Sequence, residues 1–252
     1  MNGAIIYDGL SLLDGARIVA IATGLRSASV NSKTGDMIQT WIIRPDLDPV
    51  SASRTGADAS ICGACPHRGK ATERDNGTAA ERSCYVSLIH GPSAVYRTFK
   101  RNGYPTVSGH DAIAKLGASR MVRIGSYGDG AAVPSYVWDS LISRAKGHTA
   151  YSHQAMAKGS AFEPRLYMRS VESEREARVA WAQGQRTFRV VAGVGDVVKG
   201  AEILCPASEE MGKRTTCGAC GLCGGASIRA KSIAIVVHGT GRTNFVKRVQ
   251  QL

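Results

Sequence analysis

The chain has 252 residues, 43% of them hydrophobic, with 32 Lys and Arg against 20 Asp and Glu. It holds enough apolar material for one large domain or two small ones, and it lacks a run of about 18 apolar residues that would cross a membrane. The formal charge of +12 suits a polyanionic partner such as a nucleotide or nucleic acid and equally suits a basic soluble protein, because no helix-turn-helix, zinc-finger or RNA-recognition signature accompanies it.

Residues 1–60 read as a small β-rich portion. Ala4–Tyr7, Arg17–Ala22 and Met37–Ile43 are short β-favouring runs divided by turn-prone Asp-Gly, Ala-Ser and Lys-Thr-Gly-Asp. From Arg44 to Ser60, Pro, Asp, Ser and Ala dominate, which reads as an irregular lead-in to the first cysteines. Residues 61–204 then alternate. Helices over Ser93–Asn102 and Asp111–Leu116 precede a strand at Arg120–Ile124, and Pro134 opens a helix to Ala145. Strands follow at Thr149–Tyr151 and Leu166–Val171. Ser173, with Glu176 three residues on, caps a helix through Ala182 that Gly184 stops. Further strands are Thr187–Val191, Glu202–Leu204 and, within a cysteine-rich segment 205–252, Ile233–Val237. Strands alternating with helices imply parallel βαβ units, so the expected fold class is α/β with a partial βα barrel. In such an architecture active groups gather at the C-terminal ends of the strands.

Polar residues stand at those ends: Ser126, Gly128 and Asp129 after one strand, Ser152, His153 and Gln154 after the next, then Ser170 and Glu172. Turn chemistry accounts for any one of these and less well for all of them together. Tyr151 and His153 are candidates to give a proton or a hydrogen atom; the plainer reading makes them rim residues satisfying loop backbone. Arg123 stands inside a strand and suits an acid or an anionic ligand. Trp138 and Trp181 lie on helices and read as core packing.

Seven cysteines divide into three and four. The N-terminal MNGAIIYDGL has neither the basic start nor the cleavage site of a secretory leader, so a cytoplasmic, reducing setting is expected, where closely spaced cysteines favour metal over disulfides. Cys205, Cys217, Cys220 and Cys223 follow C-x11-C-x2-C-x2-C, with glycines that let the backbone wrap tightly. Cubic iron–sulfur clusters take closely spaced thiolates with one more from a distance, whereas four-thiolate zinc sites tend to use separated pairs. Cys62, Cys65 and Cys84 supply one ligand fewer, which fits a cluster with an open iron; with His67 they could instead form a zinc site of three thiolates and one imidazole.

The Cys62/Cys65 pair, Cys84-Tyr85, GSYGD at 125–129 and CPAS…CGACGLC at 205–223 together resemble a bacteriophage-encoded group of divergent radical S-adenosylmethionine (SAM) proteins, over about residues 60–238. The usual signature of such enzymes is CxxxCxxC, and the spacing here is wider. The resemblance implies a partial βα barrel of the radical-SAM type, two [4Fe–4S] clusters, and SAM as a cofactor. Cys62, Cys65 and Cys84 would hold the cluster whose open iron chelates the methionine amino and carboxylate groups. The strand end with Ser126, Gly128 and Asp129 would accept hydrogen bonds from that amino group, and Ser170 and Glu172 would contact the ribose. Cys205, Cys217, Cys220 and Cys223 would hold an auxiliary cluster. The implied reaction is reductive cleavage of SAM to a 5′-deoxyadenosyl radical that takes hydrogen from a nucleotide or nucleic acid, in the host cytoplasm. Two other readings stay open: a zinc-stabilised nucleic-acid-binding module without catalysis, and a former enzyme kept as a scaffold for a host protein.

Overall fold

The computed structural model describes residues 2–26, 31–156 and 161–250. Two five-stranded sheets carry the chain. In the first, β1 (Gly3–Leu10), β2 (Arg17–Thr23), β3 (Met37–Ile43), β4 (Met121–Tyr127) and β5 (Gly147–Thr149) lie in chain order. β1, β2 and β3 pair antiparallel; β3, β4 and β5 pair parallel. The second sheet is wholly parallel, in the order β6 (Tyr151–Ser152), β7 (Met168–Val171), β8 (Thr187–Val191), β10 (Ser232–Val236), β9 (Glu202–Leu204). The residue-60 boundary expected from composition falls in the connection from β3 to β4, two neighbours in one sheet.

β2 is an interior strand, and Ile18 to Ala22 are buried on both faces, which is why that run is continuously apolar rather than alternating. Its core continues through Ile38, Ile42, Val122 and Ile124 to Trp138 and Leu141. The last two lie on α5 (Ser135–Ile142), beside α4 (His110–Gly117). The helix crossing depends on Gly117: a Cβ there would stand 1.9 Å from the Leu141 carbonyl oxygen.

Where the sequence reads one strand, Thr149–Tyr151, the structure divides it at Ala150. The Ala150 N–H leaves the ladder for the Cys223 carbonyl at 3.1 Å, and its carbonyl accepts from Met168 N–H at 2.9 Å. The chain thereby passes from the first sheet to the second within Gly147–Ser152. Pro134 precedes α5 as its cap residue rather than sitting inside it, and the helix stops at Ile142 instead of Ala145.

The stretch expected to be irregular contains α1 (Pro49–Thr55) and α2 (Ala59–Cys62). Asp48 caps α1 by accepting from Val50 and Ser51 N–H at 3.0 and 3.1 Å, and Pro49 opens it. α3 (Gly91–Lys100), α6 (Glu174–Ala182) and the short α7 (Cys217–Cys220) follow, and α8 (Arg242–Val249) closes the described chain. Ser173 caps α6 through Glu176 N–H at 3.2 Å, as the sequence pattern indicates. Among the described residues, no helix is long and apolar enough to cross a membrane.

Candidate metal and cofactor site

The first three cysteines sit where short elements end. Cys62 closes α2, Cys65 follows after the tight turn at Gly63, and Cys84 lies in the loop before α3. Gly63 has φ +53, and a Cβ on it would meet Gln154 Oε1 at 2.4 Å, so only glycine allows the approach. Cys65 N–H donates to the Cys62 carbonyl at 3.1 Å, and Cys84 N–H donates to the His67 carbonyl at 3.0 Å.

Gln154, just past β6, ties this loop to the strand ends. Its Nε2 donates to the Cys62 carbonyl and to Asp129 Oδ2, both at 3.0 Å, while its Oε1 accepts from Ala64 N–H at 3.2 Å. Asp129 is buried and accepts from Ala131 N–H, Ser152 Oγ, His153 N–H and Gln154 Nε2. Its own N–H donates to the Ile61 carbonyl at 2.6 Å. The carboxylate expected to face a cofactor amino group is therefore largely occupied in holding the ends of β4 and β6 against α2. Ser126 donates to Gln39 Oε1 at 2.5 Å, and Gly128 turns with φ +86 where a Cβ would meet that of Ile42 at 2.8 Å.

Glu172, beyond β7, is the hub of a second network. Its Oε1 lies 3.2 Å from His67 Nε2 and 3.0 Å from His153 Nε2, and Arg248 of α8 binds Oε2. Burial alone would raise the Glu172 carboxyl; the two imidazoles override it and hold it far below the ordinary carboxylate range. His67 is pushed down by burial against the pull of Glu172. His153 is lifted well above the ordinary value: burial opposes its charge, but Cys65 and the hydrogen-bonded Glu172 prevail. Phe245 stacks on His67 at 5.8 Å. His67 thus turns one nitrogen to Ser83 Oγ at 2.9 Å and the other to Glu172, not toward the cysteines.

The other four cysteines wrap the far side. Cys205 follows β9, its N–H bonded to the Ala234 carbonyl at 2.8 Å. Cys217 and Cys220 bracket α7, which Thr216 caps, and Cys217 N–H reaches the Lys33 carbonyl at 2.8 Å. Cys223 sits at the junction of the sheets, its carbonyl holding Ala150. The buried Arg186 braces this loop from the carbonyls of Leu222 and Gly225. Tyr151 packs its ring on Phe188 at 4.3 Å.

All seven cysteines are free thiols. Burial raises Cys62 well above an ordinary thiol, and Asp58, Cys65 and Cys84 add to it. Burial likewise pushes Cys223 up to about 12, with Cys205, Cys217 and Cys220 adding to it against the opposing effect of Tyr151. Neighbouring sulfurs therefore make the charged form of Cys62 and of Cys223 less favourable still. Yet in neither set do three sulfurs lie within 4.8 Å of one another; among the described residues only His67, His153 and Glu172 gather ligand atoms that closely.

A single cavity of about 530 Å³ joins the two sets. Its wall includes Cys62, Cys65, Cys84, Cys205 and Cys217 together with Ser126, Gly128, Asp129, Tyr151, His153, Ser170 and Glu172. Of the strand-end residues singled out from the sequence, Ser126, Gly128, Asp129, His153, Ser170 and Glu172 lie on it, whereas Ser152, Gln154, Cys220 and Cys223 do not. Sequence reasoning missed Gln154 and Arg248 as organisers of the site. Only Gln154 carried a signal, its place beside Ser152 and His153 at a strand end. Comparison with known proteins places no relative beside this arrangement: no family model, curated protein or solved structure matches the chain.

Proposed function

We propose that the chain is an iron–sulfur enzyme of the radical-SAM kind that acts on a nucleotide or nucleic acid. One observation carries the reading: the whole first cysteine set, Cys205 and Cys217 of the second, and the strand-end residues Ser126, Gly128, Asp129, His153, Ser170 and Glu172 line a single cavity. The chain's passage between sheets within Gly147–Ser152 supports the further reading that the strands form the wall of a partial βα barrel.

The donor chemistry fits two clusters better than two zinc ions. Thiolates around one tetrahedral zinc lie about 3.8 Å apart, as Zn–S bonds of about 2.3 Å require. No three sulfurs of either set lie within 4.8 Å of one another, and His67 is turned away from the three-cysteine set. Cys62, Cys65 and Cys84 would hold a cluster with an open corner toward the cavity, and Cys205, Cys217, Cys220 and Cys223 would enclose the second. When bound, the first cluster supplies the electron that cleaves the SAM sulfonium bond. The chain's own residues position and exclude. Gln154 and Asp129 fix the three-cysteine loop against the strand ends. Ser126 and the backbone around Gly128 offer acceptors for an amino group. Ser170 offers a hydroxyl for a ribose, beside the remaining acceptor capacity of Glu172. Tyr151, with its proton held on by burial, is placed to give hydrogen on the auxiliary side.

Anaerobic purification tests the reading. The expected result is brown protein with about seven to eight irons per chain, releasing 5′-deoxyadenosine with dithionite and SAM. Colourless protein carrying two zinc ions would overturn it.

A further inference from the structure

Charge around the cavity is unevenly matched. Each carboxylate on its wall is already engaged: Asp58 by Arg68, Asp129 by four donors of the chain, Glu172 by Arg248 and two imidazoles. Three cations on the same wall have, among the described residues, no carboxylate partner, and one of them, Arg82, is spent on the carbonyls of Cys84 and Val86. Among the described residues, no carboxylate oxygen lies within 4.0 Å of Arg123 or Lys33.

Arg123 is only 8% exposed. Its Nη2 donates to Tyr85 Oη at 2.7 Å, and the Tyr151 ring lies 5.4 Å from its Cζ. Lys33 Nζ lies 3.1 Å from His238 Nε2, and His238 Nδ1 faces the Val236 carbonyl, which makes Nε2 the acceptor. The Tyr85 and His238 rings are 5.5 Å apart, so Arg123, Tyr85, His238 and Lys33 form one continuous strip of wall. A guanidinium has five N–H donors, and one is accounted for at Tyr85. A buried cation without a counter-charge is strongly unfavourable, so the chain retains it where something anionic completes it. Glu210 acts on Lys33 from beyond ion-pair range, and the thiols of Cys205 and Cys217 are nearby.

Resting on the enzyme reading above, we propose that Arg123 and Lys33 form an oxyanion subsite that takes a phosphate or carboxylate group of the substrate. The fork of Arg123 binds two oxygens of such a group, and Lys33 adds a point charge beside it. Held there, the substrate lies in the space between the two cysteine sets.

Calorimetry on the anaerobically purified full chain at low salt tests this, with inorganic phosphate and acetate as probes. The expected result is one site per chain, weakened about ten- to a hundredfold by Arg123→Gln and by Lys33→Gln, with Arg123→Lys in between. Lys33→Gln guards against misfolding of the more buried variant. Binding of acetate in place of phosphate supports the subsite and assigns it to a carboxylate. No binding of either anion by the wild type overturns the proposal, as does affinity unchanged in both Gln variants. So does displacement of the anion by SAM, which would give the site to the cofactor. Iron content reports separately on the clusters: zinc-loaded protein that still binds phosphate through Arg123 would refute the enzyme reading and keep the subsite.

Discussion

The side-chain amide of Gln154 donates to the carbonyl of Cys62, 92 positions away in the chain, at 3.0 Å. The same nitrogen reaches Asp129, so one side chain couples a strand end, an acidic turn and the first cysteine. Gln154→Ala removes donors from two buried acceptors, a loss of about 1–3 kcal/mol in urea unfolding. Gln154→Glu is expected to be worse, because it places a second carboxylate against Asp129. Both variants should lose iron from the three-cysteine set first, and metal analysis after desalting reads this directly. Full iron retention in Gln154→Glu would show that the loop stands without the bridge.

The two cysteine sets should behave as separate sites. Cys84→Ser is expected to lose about four irons and all SAM cleavage while keeping the absorption of the other cluster. Cys220→Ser should lose a similar amount from the opposite side and retain SAM binding. Equal damage to both sites from either substitution would mean that they are not independent.

Glu172→Gln keeps the shape of its side chain and removes the charge between Arg248 and the two imidazoles. Charge-assisted hydrogen bonds of this kind contribute about 1.5–3 kcal/mol, so a drop of that order in urea stability is expected. SAM affinity, measured by equilibrium dialysis, should fall with it. Arg248→Gln should reproduce the loss of stability and leave a smaller effect on SAM, since α8 supports the carboxylate from behind.

Acid should weaken the cap of α1. Burial alone would raise the Asp48 carboxyl, but donors at Ser51 and Val50 override it and lower its pKa. A carboxylate depressed on folding contributes its stabilisation fully above its unfolded pKa of about 3.9, and the contribution fades as pH falls through the lower folded value. Asp48→Asn keeps an N-cap acceptor without the charge, so its stability gap from wild type should close below about pH 4. Asp48→Ala should cost about 0.5–2 kcal/mol at neutral pH. Urea titrations across that range measure both, and a gap that persists into stronger acid would place the effect elsewhere.

Local chemistry was legible in the residues themselves. Met37–Ile43, Thr187–Val191 and Glu202–Leu204 form strands over the bounds their β-branched runs indicate, and Ser173 caps α6. Asp48-Pro49 carried an equally good helix start that the surrounding Ser and Ala obscured. The strand through Ala150 could not be divided from its sequence, because the group that divides it is the carbonyl of Cys223.

The sequence by itself determined the two sets of thiols, the strand ends that bear polar groups, and the α/β alternation, since each depends on neighbours within a few residues. Only the tertiary structure decided that the first set and part of the second line one cavity, that Asp129 and Glu172 are already held by the chain, and that Arg123 and Lys33 stand without a carboxylate. Those outcomes depend on which partners long-range folding brings within hydrogen-bond reach, and spacing along the chain carries no record of that distance.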